Sequence, residues 1–410
     1  MELTGKKIVL GLSGGVACYK AAELCRALTK EGASVQVVMT DAATHFITPV
    51  TMQALSGKPV YTDQWDARVG NNMAHIDVTR DADAIVIAPC SADFIRKLAH
   101  GACDDLLSTM CVARPRHIPL LVAPAMNVEM WTNPATMRNA AQLREDGIRI
   151  LGPAAGEQAC GEVGMGRMLE PAQLLEEIVA AFQPKVMAGK RILITAGPTF
   201  EAIDPVRGIT NLSSGKMGYA VARAAREAGA EVTLVSGPTA LPTPHGVTRI
   251  DVQSAQQMMD AVNRTIDGQH VFIAVAAVAD WRVANPSTQK VKKTEGGAAG
   301  AKGPELEFEQ NPDILATIAA RTTLAGHPYC VGFAAESENL LEYGSAKRER
   351  KGIPLLVGNI GHHTFGQDDN TIVLFDEHGH TILPQAPKLT LARQLISEIS
   401  KRTSKHSLFQ

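Results

Sequence analysis

A glycine-rich loop between Gly156 and Arg167 carries a single cysteine, Cys160, and shows no apolar periodicity. Cys25 and Cys330 differ from it, because they stand in helix-like and strand-like apolar patterns that are typical of inert buried thiols. A thiol on a flexible loop can reach a bound substrate. Cys160 is therefore a candidate for proton donation or substrate contact.

Two more side chains in the first half could serve the same chemistry. Asn127 follows the apolar run Leu120–Ala123, and ligands of open α/β sheets bind beyond the carboxyl ends of strands. Its amide could donate to a carboxylate, although an asparagine near a proline is more often a turn residue. His75 could be an acid, a base or an orienting donor, and a lone histidine more often has a structural role.

The segment Gly11-Leu-Ser-Gly-Gly15 formally matches the GxSxG pattern of a nucleophile elbow. Only ten residues precede it, so no earlier strand can supply the oxyanion-hole loop that such an elbow needs. Ser13, Gly14 and Gly15 instead suit phosphate binding at a helix N-terminus, with a plain tight turn as the alternative. A dinucleotide is disfavoured because GxGxxG is missing, whereas the single phosphate of a flavin mononucleotide fits this short turn.

In the second half, a long polar loop precedes the helix start Ser213-Ser-Gly215 and carries Asp204, Arg207 and Asn211. Small residues at a helix start let backbone N–H groups approach phosphate, and an ordinary capped helix is the alternative. No Walker A pattern occurs, which excludes a P-loop kinase.

Charged residues later in the second half could contact a nucleotide. Asp280 ends an apolar run, where it suits a metal–triphosphate site, a base contact or merely a polar strand end. Lys290 begins a basic tetrapeptide, which is usually a solvated charge run. Lys347 and Lys351 share one face of a predicted helix, an arrangement that is mildly unfavourable unless an anion lies between them.

The elements that position these residues form two similar halves. Each half opens with a strand, a glycine loop, a helix and a second strand, at Lys7–Met39 and at Arg191–Val235. Consecutive apolar residues are typical of strands buried on both faces of a parallel sheet. Further strands are predicted at 84–88, 120–123, 148–151, 271–278, 331–335 and 355–358, with an edge hairpin at 371–375 and 381–383.

The fold class is therefore α/β, with two tandem doubly wound, mainly parallel sheets: a flavodoxin-like N-terminal domain over 1–187 and a Rossmann-like C-terminal domain over 188–410. The segment Asn285–Gly303 reads as a long functional or disordered loop.

Composition excludes several classes of function. The 410 residues are 45% hydrophobic and 20% charged, with a net charge of -2 and 4% aromatics, so no nucleic-acid or membrane partner is expected. The longest apolar run, 271–279, is too short to span a bilayer. Seven scattered cysteines without CxxC indicate a reducing, cytoplasmic location.

The first-half motifs occur together in an order that resembles the flavin-dependent cysteine decarboxylases, specifically phosphopantothenoylcysteine decarboxylase. The resemblance covers about residues 1–180 and implies noncovalent FMN in a homo-oligomer with FMN sites between subunits. It assigns the substrate carboxylate to Asn127, a proton to Cys160, and a place near the flavin and the substrate thiol to His75. Ser91 matches a flavin-contacting serine, although its neighbours in Pro89–Phe94 depart from the usual pattern.

The second half, over about 190–400, resembles phosphopantothenate–cysteine ligase, in the bacterial type that is fused to the decarboxylase. The whole chain thus resembles the bifunctional enzymes of coenzyme A biosynthesis, whose substrates are 4′-phosphopantothenate, L-cysteine and CTP, with Mg²⁺. The resemblance assigns charge neutralisation during acyl-cytidylate formation to Lys290, phosphopantothenate to Asn211 and Arg207, and a metal contact to Asp280. Further nucleotide contacts are assigned to Asn311, Pro312, Asp313, Ile314, Phe333, Lys347 and Lys351.

Two other functions compete with this interpretation. A nicotinamide-dependent oxidoreductase with two nucleotide folds would require a GxGxxG turn, which the sequence lacks. A non-catalytic flavoprotein or regulatory subunit would typically lose the histidine or the cysteine, whereas His75, Asn127 and Cys160 are all retained.

Overall fold

The computed structural model describes residues 1–65, 73–291, 305–325, 327–336, 340–360 and 367–406. The chain divides into two compact units, Met1–Phe182 and Gln183–Gln410. Each unit is built around its own sheet, as the two opening strand–loop–helix–strand patterns predict.

The described elements of the first unit are, in chain order, β1 (Lys7–Leu12), α1 (Cys18–Lys30), β2 (Ser34–Met39), α2 (Asp41–Thr44), α3 (Pro49–Ser56), α4 (Ala74–Arg80), β3 (Ala84–Cys90), α5 (Ala92–Ala99), α6 (Leu106–Ala113), β4 (Leu120–Pro124), α7 (Val128–Thr132), α8 (Pro134–Glu145), β5 (Arg149–Ile150), β6 (Ala154–Glu157), β7 (Val163–Arg167) and α9 (Pro171–Ala181).

Five parallel strands form the main sheet of this unit in the order β2-β1-β3-β4-β5. The central strands are buried on both faces, which explains why they read as continuous apolar runs. The apolar face of α1, with Ala21, Leu24, Cys25 and Leu28, packs into one of the two cores. The order is that of flavodoxin-like sheets and reverses between β1 and β3, where such folds bind ligands beyond the strand ends.

The described elements of the second unit are β8 (Arg191–Ala196), β9 (Phe200–Ala202), β10 (Gly208–Thr210), α10 (Lys216–Glu227), β11 (Glu231–Ser236), β12 (Thr248–Asp251), α11 (Ala255–Thr265), β13 (Val271–Ala274), β14 (Trp281–Val283), β15 (Phe308–Gln310), α12 (Ile314–Ala325), β16 (Tyr329–Glu336), α13 (Leu340–Lys351), β17 (Leu355–Ile360), β18 (Asp369–Asp376), β19 (Gly379–Pro387) and α14 (Lys388–His406).

Eight strands form the main sheet of the second unit in the order β12-β11-β8-β13-β16-β17-β18-β19. The first six strands are parallel and the last two are antiparallel, which confirms the predicted edge hairpin. The order reverses between β8 and β13, as it does in Rossmann-like folds. The fold class predicted for both halves is confirmed.

One predicted strand is too long. The apolar run 271–278 remains in the sheet only as far as Ala274, where β13 ends. Beyond that point the N–H groups of Val275 and Ala277 still donate to Thr195 and Gly197 of the neighbouring segment, but the chain now forms the wall of a cavity. An apolar run serves equally well as a buried strand or as a cavity wall, so the pattern alone could not place this end.

Candidate active sites

A cavity of about 610 Å³ lies beyond the carboxyl ends of β1, β3 and β4 in the first unit. Its wall brings together Gly14, Gly15, Ser91, Asn127 and Cys160, which are far apart in the sequence. The reversal of strand order between β1 and β3 places the cavity at the position where open α/β sheets bind ligands. Five residues predicted for one site therefore share one cavity.

The glycine turn after β1 forms the side of the cavity next to α1. A Cβ atom on Gly14 would lie 2.7 Å from the Cβ of Ala42, so this position has no room for a side chain. The N-cap residue of α1 is Ala17, which provides no side-chain cap. The N–H of Cys18 donates to the carbonyl of Gly15 and the N–H of Lys20 to that of Ala17, both at 3.0 Å. The dipole at the helix start still favours an anion in the cavity.

Ser13, a predicted phosphate contact, is not among the described residues that line this cavity. It is buried, its N–H and its hydroxyl donate to the carbonyl of Pro89 at 3.1 and 2.9 Å, and its hydroxyl accepts from the N–H of Ser91 at 2.8 Å. Ser13 thus joins the ends of β1 and β3 below the cavity. Ser91 lines the cavity and also caps α5, because its hydroxyl accepts from the N–H of Phe94 at 3.2 Å.

The loop that carries Cys160 is the tip of the β6–β7 hairpin, which lies against the start of α7. The N–H of Met126 donates to the carbonyl of Gly166 at 3.0 Å, and the N–H of Val128 donates to the side chain of Gln158 at 2.9 Å. A Cβ atom on Gly166 would lie 2.3 Å from the carbonyl oxygen of Met126. The close approach of the two chains therefore requires glycine at this position.

Asn127 and Cys160 meet at a carboxylate that the sequence analysis did not single out, that of Glu162. The amide Nδ2 of Asn127 donates to Oε2 of Glu162 at 2.8 Å, and the thiol of Cys160 lies 3.6 Å from the same oxygen. The only sequence signal for Glu162 is its position two residues after Cys160. Asn127 and Cys160, which both line the cavity, thus share one carboxylate of their own chain as hydrogen-bond acceptor.

The cysteines of the first unit divide clearly by burial. Burial raises the pKa of the Cys25 thiol to about 11 and that of the Cys111 thiol to about 12, which keeps both protonated at neutral pH. Cys160 and Cys103 are exposed, and of these two Cys160 lines the cavity. The expected difference in burial is confirmed, because Cys160 is exposed whereas Cys25 and Cys330 are buried. The role of Cys160 as proton donor stays a prediction.

His75 stands apart from this group. It lies on α4, half-buried, where its carbonyl accepts a hydrogen bond from the hydroxyl of Thr79 at 2.8 Å. Among the residues that the structure describes, His75 does not line the cavity of its own chain. Its predicted place near the flavin remains a proposal.

A smaller cavity, of about 220 Å³, lies where the strand order reverses between β8 and β13 in the second unit. Its wall includes the predicted phosphate-binding turn Ser213–Gly215 and the predicted contacts Phe333 and Lys347. It also includes Lys216 and Lys388, which the sequence analysis missed because they are far apart in the chain and have no recognisable pattern.

Within the described part of the chain, three ammonium groups line this cavity, those of Lys216, Lys347 and Lys388. Lys216 pairs with the exposed carboxylate of Asp368 at 2.6 Å. Lys388 is buried at 7% exposure and donates to the carbonyl of Gln367, and its burial, together with the nearby charge of Lys216, lowers the pKa of its ammonium group. Positive charge around a helix start is favourable for an anionic ligand such as a phosphate chain.

Arg207 and Asn211 hold the polar loop of the second unit in place. The amide of Asn211 donates to the carbonyl of Ala277 at 2.6 Å and accepts from the N–H of Ser213 at 2.8 Å. The guanidinium of Arg207 pairs with buried Asp204 and donates to the carbonyl of Val291 at 2.8 Å. Arg207 and the backbone N–H groups beside Asp204 hold the pKa of that carboxyl well below its usual range.

The backbone next to Lys290 is therefore held in place at Val291. The N–H of Val291 donates to Asp204 at 3.2 Å, so both backbone groups of Val291 are bound to the Asp204–Arg207 pair. Lys290 itself is exposed. The other two lysines of the basic tetrapeptide, Lys292 and Lys293, lie outside the described residues, as does the rest of the predicted loop up to residue 303.

The remaining predicted nucleotide contacts gather near β14 and α12. The N–H of Asn311 donates to the carbonyl of Asp280 at 2.9 Å, and Asp313 starts α12 by accepting from the N–H of Ala316 at 3.0 Å. Pro312 lies between Asn311 and Asp313, and Ile314 follows Asp313. Lys351 pairs with Asp313, whereas Lys347 lines the small cavity, and the contact of both lysines with a nucleotide stays a prediction.

No group of three or more histidine, cysteine or acidic side chains suited to a metal occurs in the described ranges. Within the same ranges, no helix has both the length and the apolar character that a membrane crossing requires.

Both parts of the chain match known families. Residues 1–183 match the family described as Flavoprotein, and residues 187–403 match the DNA/pantothenate metabolism flavoprotein C-terminal domain. The fold and these matches define a two-part α/β enzyme with a flavoprotein N-terminal part.

Relatives of the same length identify the family. The coenzyme A biosynthesis bifunctional protein CoaBC of Vibrio vulnificus (strain CMCP6) is 49% identical over 400 residues, 97% of this chain and 98% of the relative. That of Escherichia coli (strain K12) is 46% identical over 409 residues, 98% of each chain. A crystal structure of the C-terminal domain of a CoaBC protein is 38% identical, with a TM-score of 0.45, and covers 54% of this chain and 99% of that domain.

The chain belongs to the family of coenzyme A biosynthesis bifunctional proteins, CoaBC. It is a bifunctional enzyme of coenzyme A biosynthesis with a decarboxylase and a ligase domain.

Proposed function

We propose that residues 188–410 join cysteine to 4′-phosphopantothenate with CTP and Mg²⁺, and that residues 1–187 decarboxylate the product to 4′-phosphopantetheine with FMN. The observation that carries the decarboxylase proposal is the meeting of Asn127 and Cys160 at one cavity beyond the strand ends. A location in the cytoplasm stays a prediction from the cysteine pattern.

The cavity of the first unit fits FMN in size and in chemistry. Its volume of about 610 Å³ lies in the range of cofactor pockets. The Gly14–Gly15 turn and the uncapped start of α1 would hold the phosphate, and Ser91 would lie against the flavin. When bound, FMN supplies reversible hydride transfer at the thiol-bearing carbon, which provides an electron sink for the loss of CO₂.

The side chains of this unit would orient the substrate and move one proton. The amide of Asn127 would bind the departing carboxylate beside the sink. After CO₂ leaves, the thiol of Cys160 would donate its proton to the carbon that carried the carboxylate, and solvent would restore that proton. Each cycle thus consumes one proton and releases one CO₂, with no net oxidation.

A homo-oligomer with FMN sites between subunits is part of the proposal. His75 does not line the cavity of its own chain in the described residues, so a neighbouring subunit could bring this residue to the site. The rim of the cavity also exposes apolar side chains: Val16 is 61% exposed, Tyr19 58% and Met130 49%. Exposed apolar patches of this kind mark contact surfaces.

The ligase would act in two steps, because a free carboxylate does not react with an amine. The carboxylate of 4′-phosphopantothenate would attack the α-phosphate of CTP, which forms an acyl-cytidylate and releases pyrophosphate. The amine of cysteine would then displace CMP. Arg207 and Asn211 would hold the phosphopantothenate, and Lys290 would neutralise charge that develops on the phosphate chain.

The nucleotide would be held by cations and by one carboxylate. Lys347 and the Ser213–Gly215 turn line the small cavity, which supports a place for phosphates there. Asp280, Asn311–Ile314, Phe333 and Lys351 would complete the nucleotide site. Mg²⁺ is commonly bound through one or two carboxylates and substrate phosphates, which agrees with Asp280 as a single protein ligand.

The test of the decarboxylase proposal is reconstitution of the purified full-length chain with FMN. We expect a flavin absorbance band that persists through gel filtration and is released as free FMN on denaturation. A protein that remains colourless after reconstitution would refute the assignment of FMN.

A further inference from the structure

The carboxylate of Glu162 accepts a hydrogen bond from the side-chain amide of Asn127. The orientation of this amide is set by the helix that follows, because its Oδ1 accepts from the N–H of Met130 at 2.9 Å. The Nδ2 atom must then point away from α7, and it donates to Oε2 of Glu162 at 2.8 Å. A carboxylate of this chain thus uses the donor that the proposed mechanism assigns to the carboxylate of the substrate.

The same oxygen also holds Cys160. The Sγ atom of Cys160 lies 3.6 Å from Oε2 of Glu162, within hydrogen-bond range for sulfur, and the thiol is the donor. One oxygen therefore accepts from both groups that are proposed to act on the substrate. Whatever displaces the Glu162 carboxylate releases the amide of Asn127 and the thiol of Cys160 together.

The position of the β6–β7 hairpin does not depend on the side chain of Glu162. Gln158 anchors its tip, since its side chain accepts from the N–H of Val128 at 2.9 Å and donates to the carbonyl of Met165 at 3.3 Å. The backbone carbonyl of Glu162 accepts from the N–H of Gln158 at 2.8 Å. Glu162 is itself exposed, so its side chain can turn into solvent at little cost in packing.

We propose that Glu162 is an internal competitor for the substrate carboxylate, a positioning residue that holds Asn127 and Cys160 until the substrate displaces it. This inference rests on the proposed decarboxylase function. Two carboxylates beside one amide repel each other, so binding of the substrate expels Glu162. The expulsion frees the Cys160 thiol at the moment when a proton donor is needed. After CO₂ leaves, Glu162 returns to Asn127.

The test compares two inhibitors of which only one has the carboxylate, and each inhibitor is compared with itself between wild type and variants. Decarboxylation by the full-length holoenzyme is inhibited with 4′-phosphopantothenoylserine, which keeps the carboxylate but lacks the thiol, and with 4′-phosphopantetheine, which lacks the carboxylate. The variants are Glu162→Ala, which removes the competitor, and Glu162→Gln, which keeps an acceptor without the charge. Glu129→Gln is the matched control, because it also removes an exposed charge, from the adjacent helix α7, but leaves the hydrogen bonds from Asn127 and Cys160 to Glu162 in place.

In Glu162→Ala we expect the inhibition constant of the carboxylate-bearing inhibitor to fall about threefold to tenfold, the worth of one exchanged hydrogen bond. The constant of 4′-phosphopantetheine should stay within about twofold, and Glu162→Gln should give an intermediate shift. An equal change for both inhibitors, or no change for either, overturns the proposal. A wild-type enzyme that releases no CO₂ would refute the proposed decarboxylase function. That outcome is distinct from an active enzyme whose two inhibition constants are unchanged in Glu162→Ala, which would refute only the inference about Glu162.

Discussion

Replacement of Lys290 by glutamine tests whether this lysine acts in the ligase reaction or is only a solvated surface charge. The structure anchors the neighbouring Val291 through Asp204 and Arg207, while Lys290 stays exposed. Glutamine nearly keeps the length of the side chain and removes its charge. We expect the free energy of unfolding to change by less than about 0.5 kcal/mol, as for other exposed substitutions.

The activity should respond very differently. A charge-assisted contact in a closed site contributes about 2–4 kcal/mol to the transition state, so formation of the acyl-cytidylate should slow by roughly a hundredfold or more. The assay is pyrophosphate release from CTP with 4′-phosphopantothenate present and cysteine omitted. Decarboxylation of supplied 4′-phosphopantothenoylcysteine should remain at the wild-type rate, because it requires only the first unit.

Lys190→Gln serves as the control, since Lys190 is likewise exposed and in the same unit but directly precedes β8, at the opposite end of that strand from the small cavity. The control should release pyrophosphate at nearly the wild-type rate. If Lys290→Gln also does so, the reasoning is refuted and Lys290 is a solvated charge.

Three further predictions address the two units and their stability. Cys160→Ser should bind FMN and release CO₂ but stall before normal product forms, whereas Cys103→Ser, an exposed thiol outside the cavity wall, should turn over normally; full turnover by Cys160→Ser would remove that thiol from the mechanism. Residues 1–183 and 188–410, expressed separately, should each unfold cooperatively, since each has its own sheet and core; two pieces without a transition would disprove the boundary. The pKa of Asp204 is lowered in the folded state, so its contribution to stability is complete above the unfolded value of about 4 and is lost as the pH falls toward the folded value. Denaturant titrations of the C-terminal piece should therefore show a loss of stability below roughly pH 4 that is smaller in Asp204→Asn; identical pH profiles would contradict this.

The sheets were predictable because their strands are buried on both faces. Such strands appear in the sequence as continuous apolar runs, and the helices between them have one apolar face, as α1 and α10 do. The run 271–278 shows the limit of this signal, since its second half lines a cavity instead of a strand. An apolar run indicates that a segment is buried, but it does not show whether the segment is a strand of the sheet or the wall of a cavity.

The sites were predictable only where a local pattern marks them. Cys160 and the Ser213–Gly215 turn stand in unusual local sequence, and both line cavities. Lys216 and Lys388 meet only because the second sheet and α14 bring distant segments together, so no local pattern could indicate the pair. Ser13 shows the same limit, because its hydroxyl donates to the carbonyl of Pro89 in β3, a contact that no local pattern indicates.

The central claim is that one chain carries a ligase and a decarboxylase that act in sequence. The most direct measurement supplies the FMN-loaded full-length protein with 4′-phosphopantothenate, CTP, Mg²⁺ and cysteine labelled in its carboxyl carbon, and then follows pyrophosphate, labelled CO₂ and 4′-phosphopantetheine. We predict that one CO₂ and one 4′-phosphopantetheine form for each pyrophosphate released, and that omission of CTP abolishes all three. Release of labelled CO₂ without CTP, or pyrophosphate release that never leads to CO₂, would contradict the claim.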